Sequence, residues 1–228
     1  MLNRQEIKAN AKAAMKQQWG TAIGALVLLF VVIFAGGLLN ALPILGPILV
    51  LGTLYFIDFP LMTGVSGVFR RIYLGERTSA AQIFNVFQGN YLRKVGGMAW
   101  MMLFTWLWTM LFFIPGIIKG LSYSMIPFIL EDCPNVPATE AMKLSMRMTN
   151  GYKGQIFVMG LSFIGWYLLS ALTFGILGLV FVNPYMYTTQ AGYYVELKQK
   201  AIESGTIMAD EFEGSAMTTA PMKAPNAN

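Results

Sequence analysis

Asp58 is the residue on which chemistry would rest. It lies in the middle of an apolar run, two residues before Pro60, with Thr53, Thr63 and Ser66 nearby. A carboxylate at a bilayer centre costs ~2.5–3.5 kcal/mol on insertion scales. Such a group faces other helices or water, pairs with a cation, or keeps its proton. Pro60 has no N–H to return to the carbonyl of Phe56, which frees a backbone acceptor close by. Two readings follow: a proton or cation site, and a structural carboxyl hydrogen-bonded between helices. Lys119 is the one basic residue in the apolar run 95–130. It either snorkels to the headgroups or pairs with Asp58. The pair requires the 116–130 segment to enter deeply or to be broken and re-entrant. Asn183 precedes Pro184, and Tyr185, Tyr187, Thr188, Thr189 and Gln190 follow it. That polar half-helix either lines a cavity or makes interhelical hydrogen bonds, worth ~0.6 kcal/mol each.

Other chemistries have little support. There are no histidines and one cysteine, Cys133, so a histidine metal site, a Cys–His nucleophile and a disulfide scaffold are excluded. Glu131 and Asp132, with Glu140 nearby, are clustered carboxylates, and they read as a solvated loop. Most of the 16 methionines lie in apolar runs and read as packing rather than soft-metal ligands. No P-loop, dinucleotide fingerprint or serine elbow occurs. The expectation is a protein that is not an enzyme and needs no cofactor or metal.

The elements that must position these residues follow from composition. Of 228 residues, 56% are hydrophobic and 12% charged, against roughly 25% charged in a soluble domain. An integral membrane protein is expected. A helical span needs ~20 apolar residues, and basic clusters divide the chain into three apolar hairpins, about 20–69, 95–130 and 155–197. The fold class is therefore an all-α membrane bundle of about six transmembrane helices. The run from Gly20 reads as a span rather than a cleaved signal. The net charge of +5 gathers between the hairpins and at the chain ends, which points to membrane topology and not to nucleic acid. Basic loops face the cytoplasm, so both termini are expected there.

A short amphipathic interfacial helix is expected before each hairpin. The first opens on Asn3-Arg4-Gln5-Glu6, a capping box with Asn in place of Ser or Thr. It carries Arg4, Lys8, Lys12 and Lys16 on one stripe and Ile7, Ala11, Ala14 and Met15 beside it. The second runs from Ser79 and groups Ile83, Val86 and Phe87; the third covers about 137–150. Lys8, Lys12, Lys16, Arg93, Lys94, Lys143 and Arg147 are the candidate contacts to anionic headgroups. Trp19, Tyr91 and Tyr152 follow the three patterns as interfacial anchors, so a threefold internal repeat is one reading. Gly20-x-x-x-Gly24 and Gly116-x-x-x-Gly120 have close-packing spacing, read as contacts within the bundle. Residues 1–203 form the membrane domain, and 204–228, without periodicity, read as a disordered cytoplasmic tail.

The stretch Ile-Pro-Gly-Ile-Ile-Lys-Gly-Leu from Ile114, Ala138-Thr-Glu-Ala-Met-Lys, Gly151-Tyr-Lys-Gly and Asn183-Pro-Tyr resembles the bacterial multi-pass membrane family known as domain of unknown function 975. The resemblance covers about 1–200 and is most distinctive over 114–166. It implies a bacterial cell membrane location and carries no activity. The expected role is a membrane component acting through lipid or protein contacts, in envelope stress or assembly, with membrane lipids, a second copy or another membrane protein as partners. A small transporter or channel using Asp58 is the alternative.

Overall fold

The computed structural model describes residues 2–43 and 45–214, and among them no strand occurs. The first helix, α1 (Arg4–Gln17), starts where Asn3 accepts a hydrogen bond from the Glu6 N–H. The Glu6 carboxylate in turn accepts from the Asn3 side-chain amide, at 3.0 Å, rather than from the backbone as a full capping box would. Helix α2 (Trp19–Leu38) runs to a 3-10 turn, Leu39–Ala41. Helix α3 (Gly46–Thr53) leads through a π-helical turn, Leu54–Asp58, into α4 (Phe59–Tyr73). A 3-10 segment, Ala80–Phe87, opens on Ser79, whose hydroxyl accepts from the Ala81 N–H. Helices α5 (Tyr91–Leu111) and α6 (Phe113–Tyr123) follow, and α7 (Ile126–Asp132) restarts the helix with Pro127 in its first turn. Then come α8 (Ala138–Met148), α9 (Lys153–Leu161) and α10 (Ile164–Leu172). A second π-helical turn, Gly178–Val182, leads into α11 (Asn183–Glu203).

Both π-helical turns stand one residue before an X-Pro step, Phe59-Pro60 and Asn183-Pro184. The N–H of Phe59 reaches back five residues to the carbonyl of Leu54, and that of Asn183 to Gly178. Proline supplies no donor for the next rung, so the helix widens by one residue rather than breaking.

Among the described residues, four helical runs are long and apolar enough to cross a membrane: Trp19–Ala41, Gly46–Tyr73, Phe113–Asp132 and Lys153–Leu172. Two further long helices fall outside that set for visible reasons. Helix α5 begins with Arg93 and Lys94, and α11 carries Asn183, Thr188, Thr189 and Gln190.

Burial is uneven along these runs. Helix α4 is the centre, with eleven of its fifteen residues buried; α1, α7 and α11 pack directly on it. The far ends, by contrast, expose Phe34, Leu38, Ile48, Leu111, Ile114, Leu172 and Phe174. The bundle therefore has a charged, tightly packed end and an apolar end whose large side chains point outward. Such an apolar surface matches hydrocarbon rather than water.

The three amphipathic elements all bury their apolar faces against protein. Ile7, Ala11 and Met15 of α1 lie on α11 and α4. Ile83 and Val86 of the 3-10 segment lie on α4 and α2, while Phe87, expected on the same face, is exposed. Met142, Ser145 and Met148 of α8 face the bundle, where the Ser145 hydroxyl donates to the Ser122 carbonyl at 2.7 Å.

The expected disordered tail needs correction. Residues 204–214 fold back, form α12 (Ala209–Glu213), and bury Ile207 and Phe212. Two apolar side chains, Ile207 before the helix and Phe212 within it, supply the burial that the composition as a whole lacks. Residues 215–228 lie outside the described residues.

Candidate functional site

Asp58 is the last residue of the first π-helical turn and is 8% exposed. Its Oδ1 is buried without a hydrogen-bond partner. A buried orphan oxygen costs about 1–3 kcal/mol, so this position holds a polar group against the local packing preference. The acceptor that Pro60 frees on Phe56 is taken by the hydroxyl of Tyr91, which donates to it from the start of α5. Lys119 does not reach Asp58. Its ammonium lies 5.2 Å from the ring centroid of Trp108, a cation–π contact inside the α5–α6 pair. Asn183 accepts from the Tyr167 hydroxyl at 3.0 Å, and the Tyr185 hydroxyl donates to the Lys8 carbonyl at 3.4 Å. Among the described residues no hydrogen bond or ion pair joins Asn183, Tyr185 or Lys119 to Asp58. The four candidate intramembrane polar residues thus sit in three separate places.

The strongest polar constellation is one the sequence reading set aside. Asp132, at the end of α7, forms an ion pair with Arg70 of α4 at 3.0 Å and accepts hydrogen bonds from Lys198 of α11 at 2.6 Å and from the Tyr194 hydroxyl of α11 at 2.8 Å. Its neighbour Glu131 pairs with Lys94 of α5 at 2.6 Å. Arg93 donates to the carbonyls of Leu130 and Val136, holding the loop after α7. Adjacent carboxylates therefore tie four helices together at the charged end. All partners lie 37 or more residues away in sequence, so no local spacing could have shown them. The missing signal was that Arg70, Lys94 and Lys198 all follow or precede apolar runs at the same depth as Glu131–Asp132.

The headgroup candidates divide. Lys8 donates to the Ser162 hydroxyl at 2.8 Å and lies 4.3 Å over the Phe163 ring. Burial lowers its pKa, and the charge of Arg4 adds to that. Arg93 and Lys94 serve the carboxylate cluster, and Arg147 pairs with Glu211 of α12. Lys143 sits on the surface beside Glu140, at 2.6 Å, and Lys12 and Lys16 are exposed on α1. Cys133 is buried, and burial pushes its thiol up despite Lys198 at 3.8 Å, so a reactive thiolate is disfavoured. Among the described residues no group of three or more Cys, Asp or Glu side chains could hold a metal ion.

The hydrogen bond from Arg147 holds the Glu211 carboxyl below the usual carboxylate range. A carboxylate whose pKa is depressed by folding stabilises the fold above its unfolded pKa and loses that contribution as pH falls through the folded value. Acidification below the ordinary carboxylate range is expected to weaken the hold of α8 on α12, which Ile207 and Phe212 still anchor. Limited proteolysis between Ser204 and Gly214 should then speed up while the bundle stays folded. A cleavage rate independent of pH from 7 to about 3 would contradict the pairing.

Long apolar helices, with charge gathered at one end, define a helical membrane-associated protein. The chain belongs to the family described as Protein of unknown function (DUF975), which matches residues 83–201, just over half of its length. The match begins inside the 3-10 segment and ends in α11. It takes in Glu131, Asp132, Arg147 and Lys198 and leaves out α1 and Asp58, so it is shorter at the N-terminal side than the resemblance suggested. No curated protein and no solved structure matches the chain.

Proposed function

We propose that this chain is a six-span component of the bacterial cell membrane, built as three hairpins with both termini cytoplasmic, that works through lipid and protein contacts rather than catalysis. The observation that carries the reading is the division of the bundle. Its charged end spends the carboxylates Glu131 and Asp132 on internal pairs, while its apolar end presents large side chains outward. Three glycines support the hairpin arrangement, because each abuts a hydroxyl side chain of the neighbouring helical run. Gly36 meets Thr53, Gly116 meets Thr109 and Gly178 meets Ser170. Gly24 meets Ala80 of the 3-10 segment, whereas a Cβ at Gly20 would have nothing within 4 Å.

Lys12 and Lys16 are the residues left to meet anionic headgroups, at about 1 kcal/mol each near the surface. In nanodiscs of mixed lipid, Lys12→Gln with Lys16→Gln should reduce the anionic lipid retained on the protein. Lys8→Gln should instead lower thermal stability and leave lipid retention unchanged. Equal retention in wild type and the double variant would remove lipid contact from the proposal. In Cys133→Ser cells, cysteines at Arg77 and Asn150 should resist an impermeant reagent that labels one at Phe174; the reverse pattern would invert the orientation.

A second reading, a small transporter or channel for a proton or cation, is favoured by the orphan Oδ1 of Asp58 at a widened helical turn. Asp58→Asn should then fold with unchanged stability and abolish flux in proteoliposomes, whereas Asp58→Leu should also fold, since no partner is stranded. Flux retained by Asp58→Asn would leave the carboxyl a structural group.

A further inference from the structure

At the charged end, residues 206–214 lie across a groove formed by α8, α11 and the loop 132–135. The strap is held by side chains and by a backbone hydrogen bond from the Ile207 N–H to the Ala201 carbonyl. Glu211 is paired through both carboxylate oxygens with the Arg147 guanidinium. Phe212 is buried, with the Lys198 ammonium 4.7 Å from its ring centroid. Ile207 is also buried. Arg147 further donates to the Thr206 carbonyl. The helix that carries Glu211 and Phe212 has five residues, far below the length at which a helix holds itself in water. It is entered through Gly205 and left through Gly214, both at positive φ, which only glycine adopts readily. Gly214 passes so close to the loop that a Cβ there would stand 2.7 Å from the Asn135 carbonyl oxygen.

The strap does not fill the groove. An open pocket of about 600 Å³ lies beside it, lined by Asp132, Cys133, Asn135, Lys198 and Ile202 and by Phe212 of the strap itself. A tightly evolved terminal seal would be packed to near-crystalline density. This one seats one aromatic ring and one carboxylate and leaves room for more.

We propose that the groove is a docking site for a partner protein's acidic segment carrying an aromatic anchor, and that the chain's own strap occupies it in the free state. The chemistry of the partner is read from the occupant. A carboxylate faces Arg147, and the next residue supplies a ring that enters under Lys198. A tethered occupant competes at high effective concentration, so the site is masked until a better-fitting segment displaces it. This inference goes beyond the proposed role in lipid contact and does not depend on it.

The test uses the full chain in detergent, with the strap unlatched by Glu211→Lys and Phe212→Ser, and a fluorescent peptide of residues 206–214 as probe. The unlatched chain should bind the peptide at least tenfold more tightly than wild type. Adding Arg147→Gln, which cannot pair with the lysine at 211, should abolish that binding, as should replacing Phe212 by Ala in the peptide. Thermal melting of each variant establishes that it is folded, and a truncation after Gly205 repeats the measurement where the unlatched chain fails to melt cooperatively. No binding to either folded variant overturns the proposal. So does binding that is the same with and without Arg147. A full-length dimer that becomes monomeric on truncation would show that the occupant is a second copy exchanging straps, and the partner assignment would fall.

Discussion

Asp132→Ala lowers the stability of the bundle by about 3–5 kcal/mol, the range for removing one partner from a buried ion pair. The substitution leaves Arg70 and Lys198 without their carboxylate and Tyr194 without its acceptor. The Asp132 side chain is 12% exposed and those of Arg70 and Lys198 are 21% and 27% exposed, so water replaces only part of what is lost. Glu140→Ala provides the contrast. Its pair with Lys143 lies at the surface, with the lysine side chain 62% exposed, and such pairs are worth about 0.2–1 kcal/mol. Thermal unfolding in detergent, with the same lipid content throughout, measures both. Removing the stranded cations as well, with Arg70→Met and Lys198→Met added to Asp132→Ala, should recover part of the loss, since uncompensated charge is the main penalty. If Asp132→Ala costs no more than Glu140→Ala, the convergence of α4, α7 and α11 on one carboxylate does not hold the charged end.

Gly64→Ala is the second large effect. A Cβ at Gly64 would stand 2.3 Å from the carbonyl oxygen of Ile83 and 3.0–3.1 Å from two more of its backbone atoms. Backbone cannot swing aside as a side-chain tip does, so α4 and the 3-10 segment must part. Overpacking of this kind costs about 1–3 kcal/mol and occasionally more. It would also loosen Ile83 and Val86, which the segment buries on α4. Gly96→Ala and Gly165→Ala sit in helices with nothing within 4 Å of the added carbon. Both should be neutral or stabilising, by up to ~1 kcal/mol from helix propensity. Gly64→Ala melting at the wild-type temperature would show that the 3-10 segment does not lie against α4.

Much of the fold was legible where the relevant physics is local. The cap at Asn3 and the buried stripe Ile7–Ala11–Met15 follow from spacing along α1 alone, and the structure has both. Pro60 and Pro184 announced interrupted helices, though sequence offers no rule for the form, a widened turn rather than a kink. What was not legible depends on distant partners. Glu131 and Asp132 read as a solvated loop because their cations come from three other helices. Lys8 read as a headgroup contact because nothing in α1 foretells Ser162 and Phe163 beneath it. The tail was misjudged between 204 and 214 for the same reason. Average composition is poor there, yet Ile207 and Phe212 find sites on the rest of the chain. Mid-span placement of Asp58 is visible in the sequence, while its orphan oxygen is visible only with the neighbours in place.

The two widened turns also bear on phase. One residue beyond the regular count rotates everything on its far side by about 100° around the helix axis. The side chains of α3 therefore do not continue the stripes of α4, nor does Ile176 continue those of α11. Deleting one residue within 54–58 would restore a single unbroken spiral and turn the exposed set Leu45, Ile48 and Leu51 by that angle, toward α2 on one side or away from it on the other. The protein thus carries two built-in vernier points, at which the apolar end can be re-aimed by a one-residue change while Arg70, Asp132 and Lys198 stay in register.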